Sequence, residues 1–157
     1  MRKVLVQNLS EYFQGDKNKI FDFLDKFQKI EYERMNSHNN SEDKLPQDTE
    51  CFHNAKMLLL KFGAERYVLG VYRYNGQDLE HAWNRLDDGS YLDIDPNLGM
   101  NRGDHFVRYE LSKEHFIELL RRKYPNDFSE IFNGNKPFRD INIKDVEKYL
   151  PEIKEVF

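Results

Sequence analysis

The sequence predicts an α+β fold: a cysteine-bearing helix packed on an antiparallel sheet of about four strands, with amphipathic helices around them. Three observations point there. Cys51 opens an apolar run in which residues 51, 55, 58, 59 and 62 recur at helical spacing. Residues 66–74, 80–86, 91–95 and 106–111 are short stretches with strand-like composition or alternation, separated by turn-forming clusters. On either side of this block, residues 17–35 and 113–124 place apolar side chains on one helical face and charged ones on the other.

Taken in order, residues 3–7 form a short strand and Glu11-Tyr12-Phe13 a turn of helix. In 17–35, Ile20, Phe23, Leu24, Phe27 and Ile30 share a face, with Asp22, Asp25, Lys26 and Lys29 opposite. Residues 36–44 carry no apolar side chain and read as a solvated connection rather than a lid. Asp48 or Thr49 caps the Cys51 helix, and Gly63 stops it. Asn75-Gly76-Gln77-Asp78 turns the strand 66–74 back into 80–86, and Asp87-Asp88-Gly89-Ser90 leads to 91–95, which Pro96 ends. After a loop at 97–104 and the strand 106–111, Ser112 caps the helix 113–124. Leu111 and Phe116 stand there at hydrophobic-staple spacing, and Pro125 is the stop. Residues 126–157 read as short helices interrupted by Asn133-Gly134-Asn135, Pro137 and Pro151.

At 157 residues, with no repeat or linker, the chain suits one domain spanning 1–157, organised around a core at about 48–96. Lys and Arg number 24 against 28 Asp and Glu, so overall charge draws it to neither nucleic acid nor an anionic membrane. Arg121-Arg122-Lys123 complements a helix C-terminus instead of forming a nucleic-acid patch. The 12 Phe and 9 Tyr imply an aromatic core. The single cysteine makes no internal disulfide, no apolar run approaches the roughly 20 residues of a membrane span, and the first residues turn polar too soon for a signal peptide. The expected compartment is a reducing cytosol, that of the producing cell or of a host into which the protein is delivered.

Alone, Cys51 would be an ordinary small buried side chain. Its company changes that reading. A thiol in the first turn of a helix faces unsatisfied N–H groups that favour the thiolate. His81 follows thirty residues on, in a strand, and the next strand carries Asp93 and Asp95 on one face, so a hairpin brings an acid beside the imidazole. These are separate requirements of Cys–His–acid chemistry. His53, two residues after Cys51, projects away from the thiol on a helix, and His38, His105 and His115 read as solvated. Asp93, Asp95, Asn97 and Asp104 match a calcium-loop count in part, but Leu98 stands where that loop needs glycine, so no metal is expected. Arg102-Gly103-Asp104 and Asn39-Asn40-Ser41 match an adhesion tripeptide and a glycosylation acceptor, which matter only on secretion.

Cys51-Phe52-His53-Asn54-Ala55, His81-Ala82-Trp83-Asn84 and Asp93-Ile94-Asp95-Pro96 together resemble the catalytic core of the transglutaminase-like branch of papain-like cysteine enzymes. Asn97 and Glu50 depart from the residues that usually flank that pattern. The resemblance implies Cys51 as nucleophile, His81 as its base and Asp95 as the acid orienting the imidazole. The implied reaction is acyl transfer on an amide or ester through a thioester, without a cofactor and on a protein or peptide substrate. Cys51 N–H and a side chain, Gln47 or Asn54, would be the oxyanion donors, with Trp83 and Asp93 as further lining residues. Water as acceptor makes a protease, amidase or glutamine deamidase, which is the expectation, and an amine makes a transglutaminase. An inactive protein-binding relative is the alternative from another class. A small-molecule acyltransferase would need a cofactor pocket for which no motif is present.

Overall fold

The computed structural model describes residues 1–37, 50–95, 103–133, 135, 136, 138 and 140–157, and of 31–37 the backbone alone. The expectations placed on Gln47, Asp48, Thr49 and Pro96 therefore lie outside the described residues. The fold is mixed α and β, with a six-stranded sheet and helices around it. In chain order come β1 (Arg2–Val4), β2 (Val6–Gln7), α1 (Leu9–Tyr12), α2 (Lys17–Ser37), α3 (Cys51–Lys61), β3 (Arg66–Tyr74), β4 (Gln77–Arg85), β5 (Tyr91–Leu92), β6 (Asp104–Ser112), α4 (Lys113–Lys123), α5 (Phe128–Phe132) and α6 (Ile143–Tyr149).

The sheet order is β1-β6-β3-β4-β5-β2. Its first and last strands are separated in the chain by one residue, Leu5, so the sheet must curl until its two edges nearly meet. The expected single strand at 3–7 is thus two short strands that pair with different neighbours: β1 with β6, antiparallel, and β2 with β5, parallel. The antiparallel sheet of about four strands is corrected to a mixed sheet of six. All six strands contribute to the concave side, where Val4, Val6, Val68, Tyr91 and Val107 surround the Trp83 indole. Gly70 permits that packing, because a Cβ there would meet Phe106 O at 1.9 Å and Trp83 Cη2 at 2.9 Å.

The convex side carries the helices. Ala55 and Leu59 of α3, Phe116, Leu119 and Leu120 of α4, and Ile143 and Val146 of α6 bury themselves against Tyr67, Leu69, Ala82 and Leu111 of the sheet. Ser112 Oγ accepts from the His115 N–H at 3.1 Å, the expected cap of α4. Arg122 reaches Tyr149 O and Glu152, and Lys123 pairs with Asp145, so the basic end of α4 is spent on the C-terminal segment. A second cluster joins Phe27 of α2 to Met57 and Leu58 of α3 and to Leu92 and Ile94. Asn75 and Gly76 both take positive φ, 51° and 74°, which is a two-residue hairpin turn. Strand β4 consequently begins at Gln77, three residues before the expected start, and α2 runs two residues past its expected end.

Candidate active site

Cys51 is the first residue of α3, after an N-cap Glu50 that makes no side-chain cap bond. Asn84, one residue beyond the His-Ala-Trp run, is 1 % exposed and donates its Nδ2–H groups to Ala55 O at 2.9 Å and Arg66 O at 3.1 Å. One buried side chain thereby ties α3 to the sheet beside the site. Pairing of β4 with β5 ends at the Asn84 and Leu92 pair. The half of β4 that carries His81 has no strand partner on that side among the described residues, and there the Cys51 thiol is near enough to the His81 imidazole to help raise its pKa.

The other ring nitrogen contact of His81 is to an acid. His81 Nε2–H donates to Asp93 Oδ2 at 2.5 Å, which leaves Nδ1 as the ring nitrogen not engaged by Asp93. The expected orienting acid was Asp95, and continuing the β4–β5 register would indeed set His81 opposite Asp95. The ladder does not continue. After Leu92 the backbone leaves β4: Asp93 N–H bonds Gln7 O of β2, and Asp95 N–H bonds Asp93 Oδ1 at 3.0 Å. With the strand displaced, the Asp93 carboxylate reaches His81 diagonally, and Asp95, itself buried, supports Asp93 through its backbone.

Burial pushes the His81 pKa down, but the charge and hydrogen bond of Asp93, with the Cys51 thiol, outweigh it and raise the value from 6.5 to about 10. Burial likewise opposes ionisation of Asp93, and the His81 charge with hydrogen bonds from His105 and His81 lowers its pKa from 3.8 to about 2. The array is an imidazolium and a carboxylate held against a thiol.

His105, expected to be solvated, is buried and places Nε2 3.0 Å from the same Asp93 oxygen. Its signal was in the sequence: residues 105, 107, 109 and 111 alternate as the buried positions of β6, and the pattern of Val107, Tyr109 and Leu111 extends back to it. Trp83 stacks on His81 (centroids 5.9 Å) and meets His105 edge-on (4.9 Å), while Tyr72 lies 5.8 and 5.1 Å from the two rings. His81, Asp93 and His105 are also a set of potential metal ligands whose donor atoms lie within 4.8 Å of one another. Asp104 is on the surface, paired with Lys3 at 3.3 Å. Asn54 is buried in the first turn of α3, its N–H on Glu50 O, His53 is buried too, and His115 is exposed.

No helix among the described residues is long and apolar enough to cross a membrane. No family model, curated protein or solved structure matches the chain.

Proposed function

We propose that the protein is a cysteine-nucleophile acyl-transfer enzyme acting on an amide or ester, with Cys51, His81 and Asp93 as its working residues. The observation that carries this is one contiguous array, thiol to imidazole to carboxylate, assembled from α3, β4 and the segment after β5. The resemblance of the Cys51, His-Ala-Trp and Asp-Pro segments to transglutaminase-like enzymes points the same way. The chemistry follows from the roles. Cys51 Sγ, as a thiolate paired with the His81 imidazolium, attacks the carbonyl carbon, and the imidazolium gives its proton to the leaving amine or alcohol as the thioester forms. His81 then removes a proton from the acceptor, which attacks the thioester and returns the thiolate–imidazolium pair. Asp93 holds the ring so that Nδ1 faces the sulfur and balances its charge. Asp95, first expected in that role, acts through its N–H on Asp93. Cys51 N–H at the start of α3 is the backbone donor for the oxyanion. Water is the acceptor that needs no second binding site, so hydrolysis or deamidation is the reaction proposed, on a protein or peptide substrate.

The test is acylation by an activated ester, followed by intact mass and peptide mapping. The acyl group should appear on the Cys51 peptide, decay with time, and be absent from Cys51→Ala. A thiol that takes no acyl group until the protein is unfolded would remove the proposal.

A further inference from the structure

A thiol–imidazole–carboxylate array needs one histidine. This site has two, both directed at a single carboxylate oxygen: His81 Nε2 at 2.5 Å and His105 Nε2 at 3.0 Å from Asp93 Oδ2. The three groups are 6 %, 4 % and 9 % exposed for His81, Asp93 and His105. They come from β4, from the segment after β5 and from β6, so the curled sheet, not local sequence, brings them to one point.

We propose that His81, Asp93 and His105 form a binding site for one divalent transition-metal ion, with zinc as the ion the donor set suits. Two imidazoles and one carboxylate are borderline ligands that favour zinc over calcium or magnesium, and three protein ligands leave a coordination position open. Beside Asp93 and His105, with Tyr72 and Gln7 in its wall, is a cavity of about 270 Å3 that gives that position room for water. The supports a metal site needs are present. Asp93 Oδ1 accepts from the Asp95 N–H, leaving Oδ2 for the ion. Trp83 and Tyr72 wall both rings with aromatic surface. Ligand atoms around zinc at bonds of about 2.0–2.1 Å stand about 3.3 Å apart, so loading asks each nitrogen to retreat from the oxygen by less than an ångström and draws together donor atoms that now lie within 4.8 Å of one another.

Coordination has a proton balance. Each Nε2 must present its lone pair, so the hydrogen it now directs at Asp93 leaves to solvent, and the ring keeps its hydrogen on Nδ1. In His81 that Nδ1–H faces Cys51, and the ring, now neutral and held through Nε2, neither carries the charge that pairs with a thiolate nor has a second proton to give the leaving group. A loaded site is therefore an off state for the thiol. This consequence rests on the acyl-transfer proposal, whereas the metal site does not.

The experiment titrates the metal-free full chain with zinc against a chromogenic chelator, and follows Cys51 acylation with and without the metal. Wild type and Cys51→Ser should each bind one equivalent. His105→Gln, which keeps a donor toward Asp93 and is checked for folding by circular dichroism, should bind at least about tenfold more weakly. Zinc should slow acylation in wild type, reversibly with chelator, and have little effect in His105→Gln. Absence of binding overturns the site, as does binding lost in Cys51→Ser but kept in His105→Gln, which would put the ion on the thiol. Acylation without zinc binding overturns the metal site alone, and zinc binding without acylation overturns the acyl-transfer proposal alone.

Discussion

Asp93 accepts from His81, His105 and the Asp95 backbone while almost wholly out of water, so three protein donors replace its hydration. That makes the His81–Asp93 pair a term in stability with a defined pH window. The His81 pKa is raised from 6.5 to about 10, so its contribution is complete below 6.5 and lost as pH rises through 10. The Asp93 pKa is lowered from 3.8 to about 2, so the same pair contributes above 3.8 and is lost as pH falls toward 2. In metal-free protein, unfolding midpoints in urea should drop between pH 6.5 and 10 in wild type and much less in Asp93→Asn. Parallel profiles for the two would show that His81 is not held protonated by Asp93. At this scale the sequence named the thiol and the imidazole but not the carboxylate. Asp93 and Asp95 share a strand face, so period two cannot separate them, and the choice is made by where β5 leaves its ladder. His105 is legible through the alternation of β6, which begins at Asp104, two residues before the expected start at 106.

Strands β3 and β4 were legible because their hairpin is local: nine residues each, joined by Asn75-Gly76, whose left-handed conformations suit those two residue types. Helix α3 was legible from its apolar spacing, and its docking was not, since that depends on Asn84. The Asn84 amide bonds two carbonyls from different elements, and removing it leaves buried polar groups without their donor. Asn84→Ala should lower the free energy of unfolding by about 1–3 kcal/mol, measured by chemical denaturation, and Asn84→Asp should be at least as costly because it buries a charge. A change within about 0.5 kcal/mol, the range of an ordinary surface substitution, would mean α3 is held by apolar packing alone.

Over the whole molecule, the curl of the sheet is what the sequence hid. Strands of three and two residues carry no periodic signal, and β2 finds β5 in parallel across more than eighty residues of chain. Yet that closure sets β6 beside β1, holds the segment after β5 through the Gln7 carbonyl, and so gathers His81, Asp93 and His105 around Trp83. The fold class needed only local patterns, whereas the site needed this long-range pairing. The central claim, that Asp93 rather than Asp95 completes the array on Cys51 and His81, is tested most directly by the rate of Cys51 acylation in Asp93→Asn and Asp95→Asn, both shown to be folded by circular dichroism and melting. Asp93→Asn should lose up to about four orders of magnitude, as an amide at the orienting position holds the imidazole in the wrong tautomer, while Asp95→Asn keeps most of the rate. Equal losses, or a larger loss in Asp95→Asn, would contradict the account.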